Sequence, residues 1–65
     1  MDALVGKTCI VTEEINNING EGEVKVGGLC WSARSHNDSV IAVGTQVQVL
    51  EVQGVKLIVR EGIGN

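Results

Sequence analysis

The chain has 65 residues, a formal net charge of −3 and a hydrophobic fraction of 43%, with no proline and one aromatic residue, Trp31. A chain of this length forms a single small domain with a thin margin of stability, so residues 1–65 are taken as one domain. The few basic residues are scattered singly, which argues against a phosphate-binding patch. No apolar run could span a bilayer and no secretory signal is visible, so a soluble domain is expected.

The first predicted strand is Lys7–Thr12, which is short and rich in β-branched residues. The next stretch, Glu13–Gly20, reads as a polar loop because asparagine and glycine dominate it. Two apolar residues, Ile15 and Ile18, interrupt this loop. They either cap an end of the fold or project towards a protein partner, and the sequence leaves both readings open.

The pattern then predicts a β-hairpin formed by Gly22–Val26 and Leu29–Ser35. Gly27 and Gly28 lie between them and can adopt the positive φ values that a two-residue hairpin turn requires. Period-two alternation places Leu29, Trp31 and Ala33 on one face, which their apolar neighbours mark as the core face. The tryptophan is therefore expected to fill the core rather than to bind a ligand.

Two further strands, Gln46–Val52 and Val55–Arg60, follow a short apolar segment, Val40–Val43, whose structure the pattern leaves open. Five strands in so short a chain, joined mostly by hairpins, predict an all-β fold: a small five-stranded closed barrel like the OB-fold, with an SH3-like barrel as the nearest alternative. The predicted core comprises Val24, Val26, Leu29, Trp31, Ala33, Val47, Val49, Leu57 and Val59.

The remaining polar residues do not assemble into a recognisable active site. His36 stands beside Ser35, Asp38 and Ser39 in a predicted turn, and adjacent turn residues rarely aim at one point. Cys9 and Cys30 lack the spacing of a zinc site, and although a disulfide between them is possible, two reduced thiols are favoured. We therefore expect no catalytic residue, no metal and no cofactor.

Several stretches together resemble the C-terminal soluble domain of the NfeD family: LVGK at the start, GEGEVKVGGLCWSARS, IAVGTQVQVLEVQG and the closing LIV. The shared pattern is G-x-V-x-V-x-G-x-x-W-x-A-x-S from Gly22 to Ser35, then I-x-x-G-x-x-V-x-V-x-x-V-x-G-x-x-L-x-V from Ile41 to Val59. The chain departs from it at Cys9, where glycine is common, and in the loop through Asn19, which lacks a frequent proline.

The resemblance implies an OB-fold domain that follows transmembrane helices in a bacterial or archaeal type of membrane protein, on the cytoplasmic side. It also implies a non-catalytic interaction module whose partner is a stomatin- or flotillin-like (SPFH) membrane scaffold or another copy of itself. The serine–lysine dyad of the family's longer, protease-containing members is absent from this chain. The alternative function is an OB-fold domain that binds an oligonucleotide or oligosaccharide, which the scattered basic residues and single aromatic disfavour.

Overall fold

The computed structural model describes residues 4–62, which form five strands. Their bounds are β1 Thr8–Asn16, β2 Glu21–Val26, β3 Leu29–Ser35, β4 Gln46–Gln53 and β5 Lys56–Glu61. They close into a barrel in the order β1-β2-β3-β5-β4, and β4 returns to pair with β1. All neighbouring strands are antiparallel except β3 and β5, which are parallel. The all-β, five-stranded closed barrel predicted from the sequence is confirmed.

The barrel encloses one apolar core to which every strand contributes. Its fully buried large side chains are aliphatic, as period-two alternation of valine, leucine and isoleucine requires when one face of each strand points inward. The buried hydrophobic residues are Cys9, Val11, Ile15, Val24, Val26, Ala33, Ile41, Val47, Val49, Leu57 and Val59. Trp31 is only partly buried and packs against this cluster from one end of the barrel.

The assignment of Leu29 to the core was wrong, because its side chain is 64% exposed. Leu29 pairs with Val26 directly beside the Gly27–Gly28 turn, so it stands at the end of the barrel. On its other side β5 begins only at Lys56, which pairs with Ser32. Period-two alternation gave the correct face for Leu29, but no strand extends far enough to cover it.

The first strand is longer than predicted and runs four residues into the stretch expected to be a loop, ending at Asn16 rather than Thr12. Its pairing with β2 shifts register twice, between Val11 and Glu13 and between Glu13 and Asn16. Each irregularity breaks the alternation of side chains between the two faces. The sequence between Val11 and Ile15 therefore shows no strand period, although the backbone is extended throughout.

Ile15 and Ile41 close the end of the barrel opposite to Leu29. Their backbones form an isolated antiparallel bridge, with N···O distances of 2.9 and 3.0 Å, and both side chains are fully buried. Ile41 belongs to the Val40–Val43 segment, which therefore contributes one bridge residue, while its neighbours Val40 and Val43 are exposed. The segment between β3 and β4 therefore closes this end of the barrel through Ile41.

A polar cluster ties the β1–β2 loop to the end of β3. Asn17 accepts a hydrogen bond from the backbone N–H of Ser35 through Oδ1 (2.9 Å) and donates one from Nδ2 to the carbonyl of the same residue (2.9 Å). Its Nδ2 also donates to Asp38 Oδ1 (2.7 Å). One side chain thus satisfies both backbone groups of Ser35, a residue that is itself buried.

Replacing Asn17 with alanine should lower the free energy of unfolding by about 1–3 kcal/mol, because two backbone groups at Ser35 lose their partner where water has little access. Urea unfolding followed by circular dichroism measures the loss. Asn19→Ala is the control, since the Asn19 side chain is exposed and only its backbone N–H makes a hydrogen bond, to Asn16 Oδ1. Equal stability of the two variants would show that the cluster contributes nothing.

Candidate protein-interaction surface

The two isoleucines predicted as an interaction site do not form one surface. Ile15 has no exposed area and belongs to the core, so the reading in which it contacts a partner was wrong. Ile18 is 92% exposed, in the turn between β1 and β2. The break in alternation caused by the irregularities of β1 hid this difference from the sequence analysis.

A second group of apolar side chains is exposed at the other end of the barrel, which carries both the β2–β3 turn and the β4–β5 turn. We call this end the hairpin end and define it by Leu29, Trp31 and Val55. Leu29 is 64% exposed and Val55 is 78% exposed, while Trp31 and Val52 are partly buried and pack against the core. The parallel register pairs Ser32 with Lys56, so Trp31 and Val55, each one residue earlier in its chain segment, lie at the same end of the barrel. Sequence alternation alone could not find this surface, because it depends on where β5 begins.

The hairpin end also carries a free strand edge. β3 pairs with β2 from Leu29 onward, but with β5 only from Ser32 onward. Among residues 4–62, Leu29–Trp31 therefore pair with a strand on one side only. A closed barrel normally removes such edges, and this short one is flanked by exposed apolar side chains.

Two lysines flank this edge on the outer face of the sheet. Lys25 pairs with Cys30 across β2 and β3, and Lys56 pairs with Ser32 across β3 and β5. Both lysines are exposed. The nearest acidic residue on β4, Glu51, accepts a hydrogen bond from Gln53 Nε2 (2.6 Å). Lys25 and Lys56 are the lysines next to this edge, and Glu23, which pairs with Ser32 on the same outer face, accepts a hydrogen bond from Thr12 of β1.

Acidic residues collect towards the opposite end, on β1 and the start of β2. Glu13, Glu14 and Glu21 are exposed there, and Glu23 accepts a hydrogen bond from Thr12 (3.3 Å). Arg34 lies among them but donates its hydrogen bonds to backbone carbonyls, those of Ala33 and Gly20, each at 2.7 Å. Glu23 shares the outer face with Lys25 and Lys56, so the acidic and basic residues are only partly separated along the barrel.

The polar residues around His36 are engaged in turn structure. Ser35 Oγ lies 2.6 Å from Asn37 Oδ1 and 3.1 Å from Ser39 Oγ, and it accepts hydrogen bonds from the backbone N–H groups of Asn37 and Ser39. The His36 backbone N–H donates to Val59 (2.9 Å), and its side chain is exposed. Within residues 4–62 no group of three potential metal ligands comes together, and no ligand-sized pocket is found.

The two cysteines occupy different environments, and both are free thiols. Cys9 is buried in the core, and burial raises the pKa of its thiol. Cys30 is exposed on the outer face at the hairpin end, opposite Lys25. One thiol is therefore packed as a small apolar side chain and the other is accessible.

Ellman's reagent should modify Cys30 in the native domain, because its thiol is exposed. Cys9 should react only when the domain unfolds, so the rate of its modification should be at least about 100-fold lower. Cys30→Ser is the control, and it should leave no fast-reacting thiol. Two fast-reacting thiols in the native state would contradict the core position of Cys9.

Folding raises the pKa of the Cys9 thiol. The stabilisation that the protonated Cys9 gives to the folded state is therefore fully present below the ordinary pKa of cysteine, and it is lost as pH rises through the folded-state pKa.

An exposed group of apolar side chains at one end of a small barrel is typical of a surface that contacts other proteins. A family model described as the NfeD-like C-terminal, partner-binding domain matches residues 1–61. The chain belongs to this family.

The relatives agree with this assignment. The chain is 38% identical over 58 residues to a membrane-bound protease of Pyrococcus horikoshii, a match that covers 89% of this chain and 12% of the relative's length. Among solved structures, it resembles the C-terminal domain of a stomatin operon partner protein from Pyrococcus horikoshii, with 36% identity and a TM-score of 0.80, over 94% of this chain and 91% of that one.

A second solved structure is equally similar. It is the soluble domain of a Corynebacterium glutamicum membrane protein implicated in regulation of membrane protease activity, with 37% identity and a TM-score of 0.82, over 92% of this chain and 95% of that one. In residues 4–62 of the present chain, no helix is long and apolar enough to cross a membrane.

Proposed function

We propose that this chain is the non-catalytic, protein-binding module of a membrane-anchored NfeD-like protein, facing the cytoplasm, and that it works with a stomatin- or flotillin-like (SPFH) scaffold. The family description as a partner-binding domain supports the binding role. The relative from Pyrococcus horikoshii that is called a stomatin operon partner supports the class of scaffold. Because the chain spans 12% of the curated relative's length, the membrane anchor and any protease belong to other parts of such proteins.

The observation that carries the proposal is the exposed apolar group at the hairpin end. Leu29 and Val55 stand largely in water, beside the partly buried Trp31. Burying a leucine or valine side chain against a partner contributes about 1.5–3 kcal/mol, and an aromatic anchor at such a site is typical of binding hot spots.

Binding of an oligonucleotide, the alternative considered from the sequence, fits this surface poorly. Single-strand binding by OB-folds combines a positive groove with several stacking aromatics. This chain has a net charge of −3 and one aromatic residue, which packs against the core. Neither the charge nor the ring supports that function.

Isothermal titration calorimetry of the domain against the soluble SPFH domain of a stomatin-like protein from the same genome tests the proposal. We expect binding, and we expect Leu29→Ser to weaken it by roughly tenfold or more. Val43→Ser is the matched control, because Val43 is 62% exposed at the opposite end of the barrel. No heat of binding with the wild-type domain would contradict the proposed function.

A further inference from the structure

We infer that the hairpin end accepts an extended acidic segment of the partner protein, which adds as a strand to the free edge of β3 at Leu29–Trp31. This inference rests on the proposed function and adds the chemistry of what is bound. It follows from three features of the same small region: an unpaired strand edge, apolar side chains on its inner side and lysines on its outer side.

The backbone geometry makes Cys30 the docking point. In a hairpin closed by a two-residue turn, the residues that flank the turn, Val26 and Leu29, form a hydrogen-bonded pair. The next pair, Lys25 and Cys30, is then a non-hydrogen-bonded pair, so the N–H and C=O of Cys30 point away from β2. The backbone N–H and C=O of Ser32 face β5 in the same way. However, β5 begins at Lys56, opposite Ser32, and so does not extend to Cys30. No strand within residues 4–62 pairs with Cys30 on this side, so an incoming strand can bond to this donor and acceptor.

The side chains around this edge define what the incoming strand should carry. Residues of an added strand alternate between two faces. Those on the inner side would meet Leu29, Trp31 and Val55 and should be apolar. Those on the outer side would lie near Lys25 and Lys56, and carboxylates there would be complementary in charge.

The same charges disfavour two other occupants. A second copy paired symmetrically through this edge would bring each Lys25 and Lys56 towards their own counterparts, which is repulsive. An anionic membrane surface would attract the lysines but would leave the backbone groups of Cys30 without hydrogen-bond partners. An acidic strand of a partner would both pair its carboxylates with the lysines and form hydrogen bonds with the backbone of Cys30.

Selection from a library of random peptides about twelve residues long, enough to span a barrel strand, tests the inference. We expect enriched peptides in which carboxylates alternate with apolar residues, without proline in the paired stretch. Their affinity, measured by fluorescence anisotropy, should fall roughly tenfold or more in the Lys25→Glu, Lys56→Glu double variant. The Lys7→Glu, Arg60→Glu double variant makes the same charge change at two exposed positions beside β4, away from this edge; it is the control and should bind normally.

Hydrogen exchange identifies the mode of binding. Strand addition should protect the amide of Cys30 by roughly tenfold or more when peptide is bound. No enrichment, enrichment of basic peptides, or an unprotected Cys30 amide would each overturn the inference. So would a wild-type dimer in sedimentation that Leu29→Ser dissociates, or binding to vesicles containing phosphatidylserine that Leu29→Ser abolishes.

The failure of this inference can be distinguished from failure of the proposed function. If the stomatin-like SPFH domain binds the Lys25→Glu, Lys56→Glu variant as tightly as the wild-type domain, the protein-binding role is supported. The inference that the bound segment is an acidic strand is then wrong. If that SPFH domain binds neither the wild-type domain nor the variant, while selected peptides still protect the Cys30 amide, the proposed scaffold partner is wrong and the binding site at the β3 edge is supported.

Discussion

Replacing Gly22 with alanine should remove a large part of the stability of this domain. A Cβ at position 22 would lie 2.6 Å from the carbonyl oxygen of Ala33 and 2.9 Å from both Cα and Cγ1 of Ile15. The backbone also has a φ of +144°, which residues other than glycine rarely adopt. Overpacking costs about 1–3 kcal/mol and backbone strain about 1–3 kcal/mol more. Together they approach the whole stability expected for 65 residues, about 3–10 kcal/mol.

Gly28→Ala separates the two causes in this prediction. Gly28 also has a positive φ, +87°, but a Cβ there would meet no atom within 4 Å. This control should lose only about 1–2 kcal/mol, from backbone strain. Thermal unfolding followed by circular dichroism measures both variants. A Gly22→Ala domain as stable as Gly28→Ala would show that Ile15 does not pack against β2 as described.

Replacing Ile15 with alanine should cost about 2–5 kcal/mol, whereas the same change at Ile18 should stay within about 0.5 kcal/mol. Ile15 is fully buried and bridges Ile41 at the closed end of the barrel, so its truncation leaves a cavity. Ile18, three residues further on, is exposed and contributes little to folding. Three positions in sequence thus separate a core residue from a surface residue.

Urea unfolding of the two single variants provides the measurement for this pair. The midpoint of Ile15→Ala should shift strongly to lower urea, with a slope close to that of the wild-type domain. A stable Ile15→Ala domain with weakened partner binding would reverse the assignment. It would place Ile15 on the interaction surface rather than in the core.

The predictable parts of the fold are those in which a local rule determines the geometry. The β2–β3 hairpin follows from alternation on both sides of Gly27 and Gly28, whose φ values of +57° and +87° suit a two-residue turn. The strand bounds of β3 match the prediction, and those of β2 differ by one residue. The closed barrel follows from strand count and chain length.

The parts that sequence could not predict depend on where strands end relative to one another. Alternation correctly placed Leu29 and Trp31 on the inward-facing side of β3. It could not show that β5 starts opposite Ser32, which leaves Leu29 exposed and Trp31 partly buried. In β1, the register shifts around Glu13 concealed the strand itself and the buried position of Ile15. The candidate binding surface is therefore a consequence of tertiary register.

The most direct test of the central claim is to locate bound partner on the domain by nuclear magnetic resonance. The ¹⁵N-labelled domain would be titrated with the SPFH domain of a stomatin-like protein from the same genome. We expect the largest shift changes at the amides of Cys30, Trp31 and Val55, together with the indole N–H of Trp31. Changes centred instead on Ile18 and the β1–β2 loop would contradict the assignment of binding to the hairpin end.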